Sequence, residues 1–192
     1  GTITNNLRNY FKSINVPVEI VRGDGSRPGI GSYECHDPHS EFWLSWQKKK
    51  NKTSYDWDTA YEVLSRESFR RVRQFESEYG GEGVILMDRS HFSRWFVLRQ
   101  RDKNSDLRDS ISELTLLPNK YFIFDVSKET LLVRAGNDSS KKANFRRKII
   151  EDHFDLWQDT VENTPKFLDN VIQIDGEKAI NTVFKEVLTY IK

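Results

Sequence analysis

The sequence predicts an α/β protein with a doubly wound parallel β-sheet, in which helices cover both faces and produce three layers, α/β/α. Four short apolar runs of strand length alternate with stretches that suit helices. Three of these runs close on a carboxylate, at the strand end where open α/β sheets bind ligands. The four runs are Val16–Val21, Gly83–Met87, Tyr121–Val126 and Val171–Asp175.

The chain opens with a helix and then a strand. Thr4, Asn5 and Asn6 suit a helix N-terminus, and the apolar residues that follow share one helical face. These are Leu7, Tyr10 and Phe11. A glycine-rich stretch over residues 23–31 breaks regular structure after the first strand. Loops of this kind often carry binding residues, because a ligand can approach their backbone closely.

A long amphipathic helix is predicted from about Tyr55 to Tyr79. Apolar side chains recur there at mixed three- and four-residue spacings among many charges. Gly80 and Gly81 are expected to end this helix. A helix within Ala179–Ile191 is expected after the last strand, which completes the alternation of strands and helices that favours a parallel sheet.

Length and composition indicate one domain over residues 1–192. The 30 basic and 29 acidic side chains give a net charge of +1, so no general attraction to nucleic acid polymers or membranes is expected. The single Cys35 cannot form an internal disulfide, and no apolar run reaches the length of a membrane span. A cytoplasmic location is therefore expected, and any anion site must be local.

Asp88, Arg89 and Ser90 follow the second strand directly and form the first candidate site. The carboxylate suits Mg²⁺ or a hydroxyl group, and the guanidinium can bind phosphate through two hydrogen bonds. The same three residues also suit a capped helix start with a surface ion pair. The motif by itself leaves both interpretations open.

A basic cluster after the strand Tyr121–Val126 forms the second candidate site. In kinases a mobile basic segment supplies charge to the transferring phosphoryl group, so a lid is predicted at about residues 134–148. A solvated helix face explains the same charges equally well. The cluster comprises Arg134, Lys141, Lys142, Arg146, Arg147 and Lys148.

Taken in order, these pieces resemble thymidylate kinases, a family of P-loop nucleotide kinases. Gly1 and Thr2, just before the first helix, are similar to the end of a Walker A loop. Val84–Ser93 resembles the family's strand and Asp-Arg motif, and Ile174–Gly176 resembles its late Ile-Asp turn. Two further segments resemble family motifs, the loop Arg22–Ser26 and the strand with its helix Phe122–Arg134.

The resemblance implies an enzyme that transfers a phosphoryl group from ATP to a nucleotide, with Mg²⁺ as the cofactor. Asp88 and Thr2 would hold the metal ion, and Gly1 together with Thr2 would bind the donor nucleotide. Asp88 would also help to position the substrate. Because thymidylate kinases are commonly dimers, a homodimer is implied as well.

The other candidate residues are basic or hydroxyl side chains that the resemblance assigns to the acceptor site or to the lid. Arg89 would hold the acceptor's phosphate as a catalytic residue, and Arg22 would line the same site. Arg70, on the long helix, would read the base. Ser90 and Arg94 would complete the acceptor site. The lid arginines, which would act on the transferring group, are Arg134, Arg146 and Arg147.

Two departures from the family pattern matter. The family's first strand, the glycines of the phosphate loop and its lysine are not in the sequence, so the central strand and the group that bridges the β- and γ-phosphates are missing. A sheet without its central strand would leave unpaired backbone groups, so roughly 15 to 20 upstream residues are expected. Gly23 and Asp24 stand in place of the family's Glu-Pro and depart from the thymidylate pattern.

Three alternatives stay open. Asp88–Arg94 also resembles a motif of the second family of polyphosphate kinases, and deoxynucleoside kinases have a related Glu-Arg-Ser motif. The acceptor would then be a polyphosphate or a nucleoside. A non-catalytic nucleotide-binding module is the third alternative, because the lysine of the phosphate loop is not in the sequence.

Overall fold

A computed structural model describes residues 2–21, 57–88, 91–106, 117–136, 143–163 and 170–191, apart from the side chains of residues 57–65, 67 and 145. Helices and strands alternate along these ranges. In chain order they are α1 (Thr2–Ser13), β1 (Val18–Val21), α2 (Trp57–Tyr79), β2 (Val84–Met87), α3 (His91–Arg101), β3 (Tyr121–Asp125), α4 (Lys128–Gly136), α5 (Ala143–Asn163), β4 (Val171–Asp175) and α6 (Ile180–Ile191).

The described strands form two parallel pairs. Strand β1 pairs with β2 in a register that begins with Val18 opposite Val84. Strand β3 pairs with β4 in a register that ends with Asp125 opposite Asp175. Helix α2 lies between the first two strands in the chain, and α4 and α5 lie between the last two. The predicted α/β class and the parallel pairing are confirmed, whereas one doubly wound sheet stays a prediction.

The chain divides into two compact units. The first comprises residues 1–95 and 106–117, and the second comprises residues 96–105 and 118–192. Helix α3 belongs to both, since its first five residues fall in the first unit and the rest in the second. The prediction of a single domain over residues 1–192 stays a prediction.

The first unit is built on the apolar face of α1 and the adjacent strands. Leu7 and Phe11 are buried, as the helical pattern predicts, and Ile20 of β1 packs against Leu86 of β2. Helix α1 ends because Asn15 has a left-handed backbone with φ of 59°, a conformation that Asn tolerates at helix ends. This turn directs the chain from the helix straight into β1.

The second unit is centred on Ile174 of β4, which is fully buried. Val183 and Val187, one turn apart on α6, are buried as well, so the apolar face of α6 is covered. The second half of α3 is joined to α5, because Arg99 donates a hydrogen bond to Thr160 Oγ1 at 2.9 Å and forms an ion pair with Asp159. The buried side chains of β4 and α6 thus lie in this unit together with a polar link between α3 and α5.

The predicted boundaries agree closely with the structure. The long helix begins at Trp57 and ends at Tyr79, and Gly80 and Gly81 follow it with φ angles of 57° and 89°. The expectation that two glycines end this helix is confirmed. The glycine-rich stretch over residues 23–31 lies outside the described residues. Among the described helices, none has both the length and the apolar character that crossing a bilayer requires.

Candidate functional site

The carboxyl ends of β1 and β2 form the edge at which the first candidate site lies. Val21 is opposite Met87 in the strand register, and the next backbone N–H, that of Asp88, donates a hydrogen bond to the carbonyl of Val21 at 2.8 Å. Arg22 follows Val21 directly in the sequence. The carboxyl ends of both strands, with Asp88, therefore lie at the same edge, where parallel sheets bind ligands.

Several predicted site residues lie outside the described residues. Asp88 is half-buried at the strand end, whereas nothing is described of the two motif residues that follow it, nor of the glycine before α1. The donor-site residue that is described, Thr2, is the exposed first residue of α1. The candidates outside the described ranges are Gly1, Arg22, Arg89, Ser90, Lys141 and Lys142.

His91, the first residue of α3, is completely buried three residues after Asp88. Burial lowers the pKa of this imidazole to about 4, so the ring is neutral at neutral pH. Its ring lies 6.4 Å from that of Phe92, centroid to centroid. The sequence analysis did not single out His91. Its position between the end of a strand and the start of a helix was a signal that the side chain could be buried.

Arg94 lies one turn beyond His91 on α3 and is half-buried. It belongs to the first unit, as Asp88 does. The structure therefore places Arg94 on the helix that follows the Asp88 motif, in the first turn and a half. Its predicted role at the acceptor stays a prediction.

Arg71 of α2 reaches the sheet. Its guanidinium forms an ion pair with Glu19 of β1, and the two side chains are only 17% and 25% exposed. Arg70, the preceding residue, donates a hydrogen bond along the helix to Gln74 Oε1 at 3.2 Å. The predicted base-reading role of Arg70 stays a prediction, and the sequence did not predict the ion pair of Arg71 with Glu19. Glu19, a charge within an otherwise apolar strand, was the signal for a buried partner.

The carboxyl ends of β3 and β4 are linked in the second unit. The backbone N–H of Gly176 donates to the carbonyl of Asp125 at 2.7 Å, immediately after the last paired residues. Arg134, in the last turn of α4, donates from Nη2 to the carbonyl of Gly176 at 2.9 Å. The predicted lid arginine Arg134 is thus bonded to the turn that follows β4.

The other two predicted lid arginines lie near the start of α5. Arg146 and Arg147 are both exposed, as a segment that supplies charge to a ligand requires. The guanidinium of Arg147 lies against Gly136 at the end of α4, in the space that a side chain there would occupy. Arg134 and Arg147 therefore lie at the same end of α4, while the intervening residues 137–142 are outside the described ranges.

The chemistry of Asp88 fits one mode of Mg²⁺ binding. Within the described ranges, no group of three or more His, Cys, Asp or Glu side chains could hold a metal ion. In phosphoryl-transfer sites Mg²⁺ takes one or two carboxylates, several waters and the oxygens of the substrate's phosphates. A single carboxylate at a strand end suits that mode, and the described residues offer no cage made of protein ligands alone.

Comparison with models of known protein families gives no match for this chain. Comparison with curated proteins gives no match either.

Proposed function

We propose that this protein transfers the γ-phosphoryl group of ATP to a nucleotide, as a thymidylate kinase-like nucleoside monophosphate kinase. The observation that carries the proposal is the parallel pairing of β1 and β2, which ends with the N–H of Asp88 bonded to the carbonyl of Val21. This pairing brings the carboxyl ends of both strands to one edge. In that sequence context, the edge would combine one carboxylate with the guanidinium groups of Arg22 and Arg89.

The proposed fold is one doubly wound, three-layer sheet of the P-loop kinase type that includes both strand pairs. Each pair is parallel and its strands are separated in the chain by helices, so each is a βαβ unit. Parallel strands of this kind occur almost only where helices cover both faces. The parallel pairing within each unit supports this fold.

The mechanism is in-line transfer, to which the protein contributes position and positive charge. Asp88 would orient Mg²⁺ or the acceptor from a rigid strand end. Thr2 would hold the metal ion together with Asp88. Mg²⁺ would neutralise charge on the phosphates. Arg89 and Arg22 would bind the acceptor's phosphate, and the lid arginines would stabilise charge on the transferring group. The proposed lid residues are Arg134, Arg146 and Arg147.

The acceptor is expected to lie between the Asp88 edge and α2. Arg70 on α2 and Ser90 and Arg94 after β2 are the further residues proposed to bind it. Arg71 is unsuitable for this role, because its guanidinium is already paired with Glu19. The products would be ADP and a phosphorylated nucleotide.

The test is ATP consumption by the full gene product with nucleoside monophosphates, nucleosides and polyphosphate, each with and without Mg²⁺. Arg89→Ala should reduce kcat/KM by about 10²- to 10³-fold, as the loss of a key charge on the transition state does in other enzymes. Arg73→Ala is the matched control, because this exposed arginine of α2 pairs with Glu76 on its own helix.

Turnover with Mg²⁺ and one preferred acceptor would support the kinase and identify its substrate. Unchanged kcat/KM in Arg89→Ala would remove Arg89 from the mechanism. No turnover with any acceptor would overturn the proposal. Nucleotide binding measured by calorimetry in that case would identify a non-catalytic nucleotide-binding module.

A further inference from the structure

The turn after β4 is bonded to both ends of helix α4. At the start of the helix, the carboxylate of Glu177 accepts hydrogen bonds from the backbone N–H of Ser127 at 2.6 Å and from Thr130 Oγ1 at 2.7 Å. In the last turn of the helix, Arg134 Nη2 donates to the carbonyl of Gly176 at 2.9 Å. Two consecutive turn residues therefore hold a helix of nine residues at two points.

The turn is itself held firmly to the strands. Gly176 donates its N–H to the carbonyl of Asp125 at 2.7 Å, and the N–H of Glu177 donates to Asp175 Oδ1 at 2.9 Å. The peptide unit between Gly176 and Glu177 thus has both its carbonyl and its N–H engaged. A Cβ at Gly176 would collide with Val126 and would lie 2.8 Å from the carbonyl oxygen of Asp125, so only glycine fits without a shift.

The hydrogen bonds and charges around Glu177 favour its ionised form. Hydrogen bonds from Thr130 and Ser127, together with the positive charge of Arg134, lower the pKa of this carboxyl to about 2. Lys178 in the same turn lies 3.9 Å from Asp175 and 2.9 Å from Glu186, so it is bonded to other carboxylates. The carboxylate also lies at the N-terminus of α4, where the helix dipole stabilises negative charge.

We propose that Glu177 is a positioning residue that fixes α4 on the turn after β4 and thereby fixes the guanidinium of Arg134. Without Glu177 the first turn of α4 loses two hydrogen bonds, and of the hydrogen bonds described between the turn and the helix, the one from Arg134 remains. The side chain of Arg134 then samples more conformations. The part of this inference that gives Arg134 a task in phosphoryl transfer rests on the proposed function; the two-point attachment does not.

The first test measures the attachment without any substrate. Amide hydrogen exchange across residues 127–136 is compared between the wild type, Glu177→Ala and the control Glu129→Ala. Glu129 is an exposed acid in the first turn of α4. Its removal takes the same negative charge away from the start of the helix as the removal of Glu177 does. Exchange of the Ser127 amide should accelerate about tenfold in Glu177→Ala, which is the effect of losing a typical helix cap, and much less in the control.

The second test measures Arg134 directly by ¹⁵N relaxation of its Nε–H group. The order parameter should fall in Glu177→Ala and stay at the wild-type value in Glu129→Ala. In the kinetic arm, Glu177→Ala should lower kcat severalfold, and adding it to Arg134→Ala should cause no further loss, because both changes act through one guanidinium.

Unchanged exchange at Ser127 or an unchanged Arg134 order parameter in Glu177→Ala would overturn the inference, whatever the turnover. Additive kinetic losses in the double variant would also overturn it. Absence of turnover in the wild type would defeat the proposed function, and the exchange and relaxation measurements would still decide the role of Glu177.

Discussion

Acid should destabilise this protein through His91. The ring is fully buried and its pKa is lowered to about 4, against 6.5 for an ordinary histidine. The unfolded chain therefore binds a proton at His91 at a pH where the folded chain does not. Above pH 6.5 the ring is neutral in both states, so the free energy of unfolding suffers no loss from His91. As the pH falls from 6.5 towards 4, unfolding becomes progressively more favourable.

The size of this effect follows from the two pKa values. At 1.36 kcal/mol per pKa unit, the full difference corresponds to about 3 kcal/mol. Between pH 7.5 and pH 4.5, about 2.5 kcal/mol of the free energy of unfolding should be lost through this single group. Such a loss is a large fraction of the roughly 5 to 15 kcal/mol that stabilises a typical domain.

The assay is urea unfolding followed by tryptophan fluorescence at several pH values between 4.5 and 7.5. His91→Phe should remove this part of the pH dependence, because no group at the position can bind the proton. His153→Gln is the matched control, since it replaces a half-buried histidine of α5 whose ring lies 6.4 Å from that of Phe96. A His91→Phe variant with the same pH dependence as the wild type would refute the reasoning.

Two further predictions concern stability. Arg71→Ala should lower the free energy of unfolding by about 1 to 2 kcal/mol, because it leaves the largely buried Glu19 without its partner. Arg73→Ala removes an exposed ion pair within α2 and should cost less than about 0.5 kcal/mol; equal losses in urea unfolding would contradict this ranking. Gly176→Ala should cost about 1 to 3 kcal/mol, measured as a lowered Tm, because its methyl group collides with Val126, and an unchanged Tm would show that the turn can move aside.

Local patterns gave most of the secondary structure. The apolar run before Asp88 predicted β2 to within one residue, and the strand Val171–Asp175 was predicted with its observed bounds. Gly80 and Gly81 marked the end of α2. These features depend on neighbours in the sequence, since β-branched runs favour strands and glycine alone adopts a left-handed backbone without strain.

Contacts between distant residues were beyond the reach of such patterns. Arg70 and Arg71 are adjacent on α2, and the packing of that helix on β1 decides which of them contacts Glu19. Arg71 forms this contact although it lies 52 residues from Glu19 in the sequence. Glu177 reads as a polar turn residue, although it binds Ser127 and Thr130 across about fifty residues. Long charged side chains can reach in several directions. Their spacing therefore predicts the face of a helix on which they lie and does not predict which residue they contact.

The double-glycine turn between α2 and β2 has a practical consequence. Gly80 and Gly81 both have positive φ angles, and in the part of the chain that the structure describes no atom lies within 4 Å of where a Cβ would be placed on either. This turn enters β2 at the end opposite Asp88, about 13 Å away along a strand of four residues. A spectroscopic label or a short epitope inserted there would stay clear of the Asp88 edge, so the proposed turnover could be tested in a tagged protein.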